Sequence, residues 1–109
     1  MEMKQLAGQM SMSLGDGLEL LSKTQLASLD KYKKFFKFET YRVDGKNHSI
    51  CCIHAMLKNK LDCVFIPLHT GEVCCYPNNN PFKIEYKHYK SLGSAMASRI
   101  KVLQSKGVL

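Results

Sequence analysis

The sequence predicts a single α+β domain: a helix, then a four- or five-stranded antiparallel meander, then a C-terminal helix packed on the sheet. Three observations carry this. Between Phe35 and Lys87, runs of alternating polar and apolar residues follow one another, divided by short turn signals such as Asp44-Gly45 and Lys58-Asn59-Lys60. On either side of that stretch, apolar residues recur at three- and four-residue spacing, the period of a helix. A chain of 109 residues, 45% hydrophobic and 23% charged, is large enough for one core and too apolar for general disorder.

The first 23 residues stand apart. Met1 to Gly17 is rich in Met, Ser, Gly and Gln without a period, and Gly15-Asp16-Gly17 punctuates it. Residues 1–23 therefore read as a flexible or loosely docked arm, and residues 24–109 as the α+β domain. Leu18, Leu20 and Leu21 give the arm something to bury. Leu6, Met10, Leu14, Leu18 and Leu21 approximate a helical stripe, suited to folding on a partner or to forming a homodimer through the arm.

Thr24 is the expected N-cap of the first helix, with Leu26, Leu29 and Tyr32 on one side and an end near Lys34. Phe36, Phe38 and Thr40 then alternate with Lys37, Glu39 and Tyr41, a first strand closed by Asp44-Gly45. His48 to Leu57 carries the β-branched and thiol residues of a second strand. Leu61 to Leu68 is apolar on both parities, which predicts a central strand covered on both faces. Val73 to Tyr76 is a short fourth strand before Pro77 and the Asn78–Pro81 loop. Phe82, Ile84 and Tyr86 alternate with Lys83, Glu85 and Lys87 as an edge strand. Tyr89, Leu92, Met96, Ile100 and Leu103 mark the last helix. Gly93 allows close packing on the sheet, and Gly107 is the terminator.

Charge is distributed unevenly along this plan. Residues 1–30 hold Lys4 and Lys23 against four acids, whereas from Lys31 onward fourteen Lys and Arg face five acids, an excess of nine. Lys31, Lys33, Lys34 and Lys37 cluster at the exit of the first helix. Lys83, Lys87, His88 and Lys90 cluster where the last strand meets the last helix, with Arg99 and Lys101 further on. Phosphate binding needs several cations on one face, and a helix N-terminus near Lys90-Ser91 would add backbone donors. Tyr41, Tyr86 and Tyr89, interleaved with these lysines, are candidates for stacking on unpaired bases. The plainer alternative is a solubilising surface with its tyrosines in the core. Only two arginines are present, so bidentate base readout is sparse, and binding is expected to be weakly sequence-specific and strongly salt-dependent.

Other chemistries find little support. Five cysteines include the adjacent pairs Cys51-Cys52 and Cys74-Cys75 but no CxxC knuckle, so free thiols filling core space are expected, with no metal and no cofactor. Pairing of a cysteine with His54, His69 or His88 lacks a nucleophile elbow or glycine-rich turn, and no P-loop, dinucleotide or deaminase signature occurs. The chain is therefore expected not to be an enzyme. No apolar run reaches bilayer-spanning length and the start lacks an apolar signal core, which points to no membrane role and to the reducing cytoplasm, the nucleus remaining open. The expected function is nucleic-acid binding, RNA or DNA, through a lysine-rich face. The alternative is a protein-binding inhibitor or adaptor that docks its basic face on an acidic surface of a larger protein.

Overall fold

The computed structural model describes residues 15–77 and 87–109. Within them the alternating segments form a five-stranded antiparallel sheet in the order β1-β2-β3-β4-β5. The strands are β1 at Lys37–Asp44, β2 at Ser49–Leu57, β3 at Lys60–Pro67, β4 at Val73–Pro77 and β5 at Lys87–Tyr89. Helix α1 (Lys23–Tyr32) precedes the sheet and α2 (Leu92–Ser105) follows it. The expected α+β domain, with its C-terminal helix packed on the sheet, is the one formed.

Strand periodicity decides which side chains are interred. In β2, Cys51, Ile53 and Ala55 are buried while Ile50, Cys52, His54 and Met56 are half-buried, and β3 repeats the pattern with Cys63, Phe65 and Pro67 inside. Leu29 of α1 and Leu92, Ala95, Met96, Ile100 and Leu103 of α2 close over that face. Each large aliphatic or aromatic side chain buried there contributes roughly 1.5–3 kcal/mol. A one-residue slip of β2 would expose all three of its core residues, so the register is strongly specified.

Several local expectations are corrected. The N-cap of α1 is Ser22, not Thr24. Ser22 Oγ accepts from Gln25 N–H at 3.1 Å, and Gln25 Oε1 accepts from Ser22 N–H at 2.9 Å, a reciprocal capping box that starts the helix one residue ahead of Thr24. Tyr89 belongs to β5, opposite Val73, and α2 begins only after its own Ser91–Ser94 capping box. Gly93 packs on α1 rather than on the sheet: a Cβ there would lie 3.2 Å from Ser28 Oγ. Both helices cover the same face of β3. Among the described residues no element lies over the face of Val64 and Ile66, contrary to the cover expected on both sides. Of the strand expected at Phe82–Lys87, all but Lys87 lies outside the described residues, as do Leu6, Met10 and Leu14 of the arm and the proposed arm-mediated dimer contacts.

The end of the arm is built into the core. A 3-10 turn at Leu18–Leu20 inserts Leu18, 2% exposed, with Leu21 beside it. Gly17, at φ +88°, makes this close approach possible, since a Cβ would stand 3.2 Å from Cys51 Sγ. Gly15 N–H donates to Thr40 Oγ1 at 2.9 Å and so satisfies the buried hydroxyl of β1.

One irregularity in the sheet has a clear purpose. Ala55 pairs with Cys63 but Met56 pairs with Leu61, so Asp62 is the extra residue of a β-bulge. The bulge turns Asp62 toward α2, where Arg99 meets it with Nε–Oδ2 at 2.7 Å and Nη2–Oδ1 at 2.8 Å. Both side chains are nearly interred, 12% and 10% exposed, so this two-pronged pair ties α2 to β3. No described helix is long and apolar enough to cross a membrane.

Candidate functional site

α1 ends at Tyr32, whose carbonyl accepts from both Phe35 and Phe36 N–H, and the resulting turn carries Lys33, Lys34 and Phe35 into β1. Cations are favoured at this place because the last helical carbonyls leave partial negative charge there. The hairpin register then sets Lys37 opposite Met56 near the end of β2, beside the two-residue Lys58-Asn59 turn. These segments enclose a groove of about 370 Å³. Lys33, Lys34, Lys37 and Lys58 line it, Phe35, Phe36, Phe38 and Met56 supply apolar surface, and no carboxylate is among its lining residues.

The lysines are held by their surroundings. Lys34 Nζ stands 5.3 Å from the Phe35 ring centroid, and Lys31 Nζ the same distance from Tyr32, one turn back along α1. Lys33 pairs with Asp30 at 2.7 Å, but both side chains are well exposed, so this pair holds little energy against a competing phosphate. Lys58 adopts φ +49° and Asn59 φ +66°, the left-handed pair that a tight two-residue hairpin requires. Lysine is poorly suited to that backbone, and its presence there is a local strain at the rim of the groove.

The remaining sequence-selected residues are dispersed. Lys87, His88 and Lys90 lie on or just after β5, at the opposite sheet edge from β1, about 19 Å away by strand spacing. Lys83 lies outside the described residues. At the start of α2, Ser91 Oγ accepts from Ser94 N–H, so one of the backbone donors expected for phosphate is already used. Arg99 is committed to Asp62, and Lys101 is exposed on α2. Tyr41 sits on the sheet face away from the helices, its ring edge 4.8 Å from His54 and its hydroxyl donating to Glu39 at 3.2 Å; that bond pushes the phenol pKa up. Tyr89 is half-buried, packs on the core and bonds Ser98 at 3.2 Å. Sequence reading missed Lys58 as a groove residue. Its only signal was a turn, and pairing that turn with the exit of α1 requires the β1–β2 register.

Four of the five cysteines are held toward the thiol form; the hydrogen bond from Cys63 lowers the Cys75 pKa instead, but Cys75 is buried at 3% exposure. All five are free thiols. Burial pushes Cys51 up to about 12 and raises Cys52 and Cys74. Cys63 is held protonated by the hydrogen bond it shares with Cys75 and by burial. Thiolate, the reactive form, is disfavoured at these positions. Among the described residues no three His, Cys, Asp or Glu side chains gather as a metal site.

Comparison with protein-family models, with curated proteins and with solved structures finds no match.

Proposed function

We propose that this chain is a non-enzymatic basic domain that binds nucleic acid, with low sequence specificity, through the groove between the α1–β1 connection and the β2–β3 turn. One observation carries the reading: four lysines from two separate chain segments line a single groove that has no carboxylate on its walls. Each phosphate neutralised there releases condensed counterions, which favours polyanions over single charges. Phe35, the half-buried ring of the groove, suits an unpaired base, whose stacking on a ring contributes about 1–3 kcal/mol; Phe36 and Phe38 are each 2% exposed and belong to the core. Low specificity follows from arginine: Arg99 is committed to the nearly buried Asp62, and neither Arg42 nor Arg99 lines the groove, so no guanidinium stands there for bidentate base readout.

Fluorescence polarisation with labelled single- and double-stranded RNA and DNA tests this. Binding at about 50 mM salt is expected, with a log–log salt slope of about −3 for single strands if four phosphates are neutralised. Absence of binding to every substrate at that salt overturns the proposal. A partner that survives nuclease treatment of a lysate would instead support an inhibitor or adaptor that sets the same groove on an acidic protein surface.

A further inference from the structure

The chain leaving α1 repeats one unit, a lysine followed by an aromatic residue, at Lys31-Tyr32 and again at Lys34-Phe35. In each unit the lysine Nζ stands 5.3 Å from the centroid of the ring beside it. The two ring centroids are 6.4 Å apart with their planes tilted by 37°, and both residues are half-buried. Phe35 lines the groove and Tyr32 is the last residue of α1, so the rings run from the helix end into it. A site for phosphate alone needs no ring, because cations and backbone donors suffice. Rings interleaved with cations instead match the construction of sequence-tolerant single-strand sites, in which rings hold base faces and cations track the backbone.

We propose that the substrate class of the groove is single-stranded nucleic acid, held with one base on Phe35 and the neighbouring base on Tyr32. This rests on the reading of the groove as a nucleic-acid site and narrows it to strands with unpaired bases. Access to the base face decides between strand and duplex. In a duplex each base is stacked and paired, so seating one on Phe35 requires its extrusion, a cost that an unpaired strand does not meet. The groove volume, about 370 Å³, lies at the small end of the ~300–1,000 Å³ range of sites that enclose one small ligand, the scale of a nucleotide rather than of a duplex. A base seated on either ring displaces the ammonium above it, and the phosphate of the same nucleotide gives that ammonium a charged partner in place of a ring quadrupole. Lys33, Lys37 and Lys58 remain for the flanking phosphates. Met56, also half-buried on the groove wall, is an adaptable apolar side chain that suits purines and pyrimidines alike.

Polarisation titrations of the full chain at one salt concentration compare a labelled single strand with its own blunt duplex and with an abasic strand of equal length. The single strand is expected to bind at least about fivefold more tightly than either, the least that one stacked base supplies. Phe35→Leu, which keeps apolar packing against the core, is expected to weaken single-strand binding at least about fivefold while leaving the salt slope and the abasic affinity unchanged. Tyr32→Leu is expected to do the same for oligonucleotides of two or more bases. Phe35→Tyr and Tyr32→Phe keep the rings and should keep the affinity, and a thermal melt shows that each variant is folded. A duplex or an abasic strand that binds as tightly as the single strand overturns the inference, and this comparison needs no variant to fold. So does a folded Phe35→Leu or Tyr32→Leu chain of unchanged single-strand affinity. In those cases binding itself persists and the groove still stands as a polyanion site, whereas absence of binding to all three ligands overturns both readings.

Discussion

Replacing Lys58 separates the stability of the β2–β3 turn from the work of the groove. Lys58 holds φ +49° at the first position of a two-residue hairpin loop, where an ordinary L-residue is disfavoured by about 1–2 kcal/mol relative to glycine. Asparagine tolerates that backbone, so Lys58→Asn should stabilise the fold by about 0.5–1 kcal/mol, or about 2–8 °C in Tm for a domain of this size. The same substitution removes one of four groove cations. The salt slope for a single strand should flatten by about 0.7, and affinity at low salt should fall several-fold. Asn59→Gly is the control: it also relieves the turn, at φ +66°, and although Asn59 lines the groove the change keeps every lysine, so it should raise Tm and leave the salt slope unchanged. Chemical melts and polarisation titrations on the two variants give the four numbers needed. A destabilised Lys58→Asn chain would refute the strain argument, and a stabilised one with an unchanged slope would take Lys58 out of the interface.

Three further outcomes test the fold that positions the groove. Asp62→Ala leaves the Arg99 guanidinium 12% exposed and unpaired, and urea melts should show a loss of about 2–3 kcal/mol, discounted for its partial wetting, with Asp62→Ala/Arg99→Met recovering most of it. Gly17→Ala meets both a left-handed backbone at φ +88° and a Cβ contact with Cys51 of 3.2 Å, so about 1–2 kcal/mol should be lost, with faster proteolysis around the 3-10 turn. The Cys51 thiol, raised by burial to about 12, keeps its proton in the folded chain after the unfolded chain has lost it. Its stabilising contribution is thus complete below the unfolded thiol pKa and is lost as pH rises toward about 12. Stability should fall by roughly 1 kcal/mol per pH unit above about pH 9, and Cys51→Ala should make that alkaline limb shallower.

The meander was legible because period-two alternation and short turns are local signals, and the structure places β1 to β4 within a residue or two of the segments they mark. Helix starts were misplaced for a specific reason. Ser22 and Gln25 spell a capping box, but Thr24 is an equally acceptable cap when the reciprocal bond is not sought. Tyr89 fits the apolar spacing of α2 as well as it fits a strand, and only its pairing with Val73 decides the matter. The site was less legible than the fold. Charge counting finds lysines, but it cannot tell that β1 and β5 stand at opposite edges, nor that Arg99 will be consumed by a bulged Asp62. The uncovered face left a trace in the two-sided hydrophobicity of Leu61 to Leu68, which demanded a cover that no described element supplies.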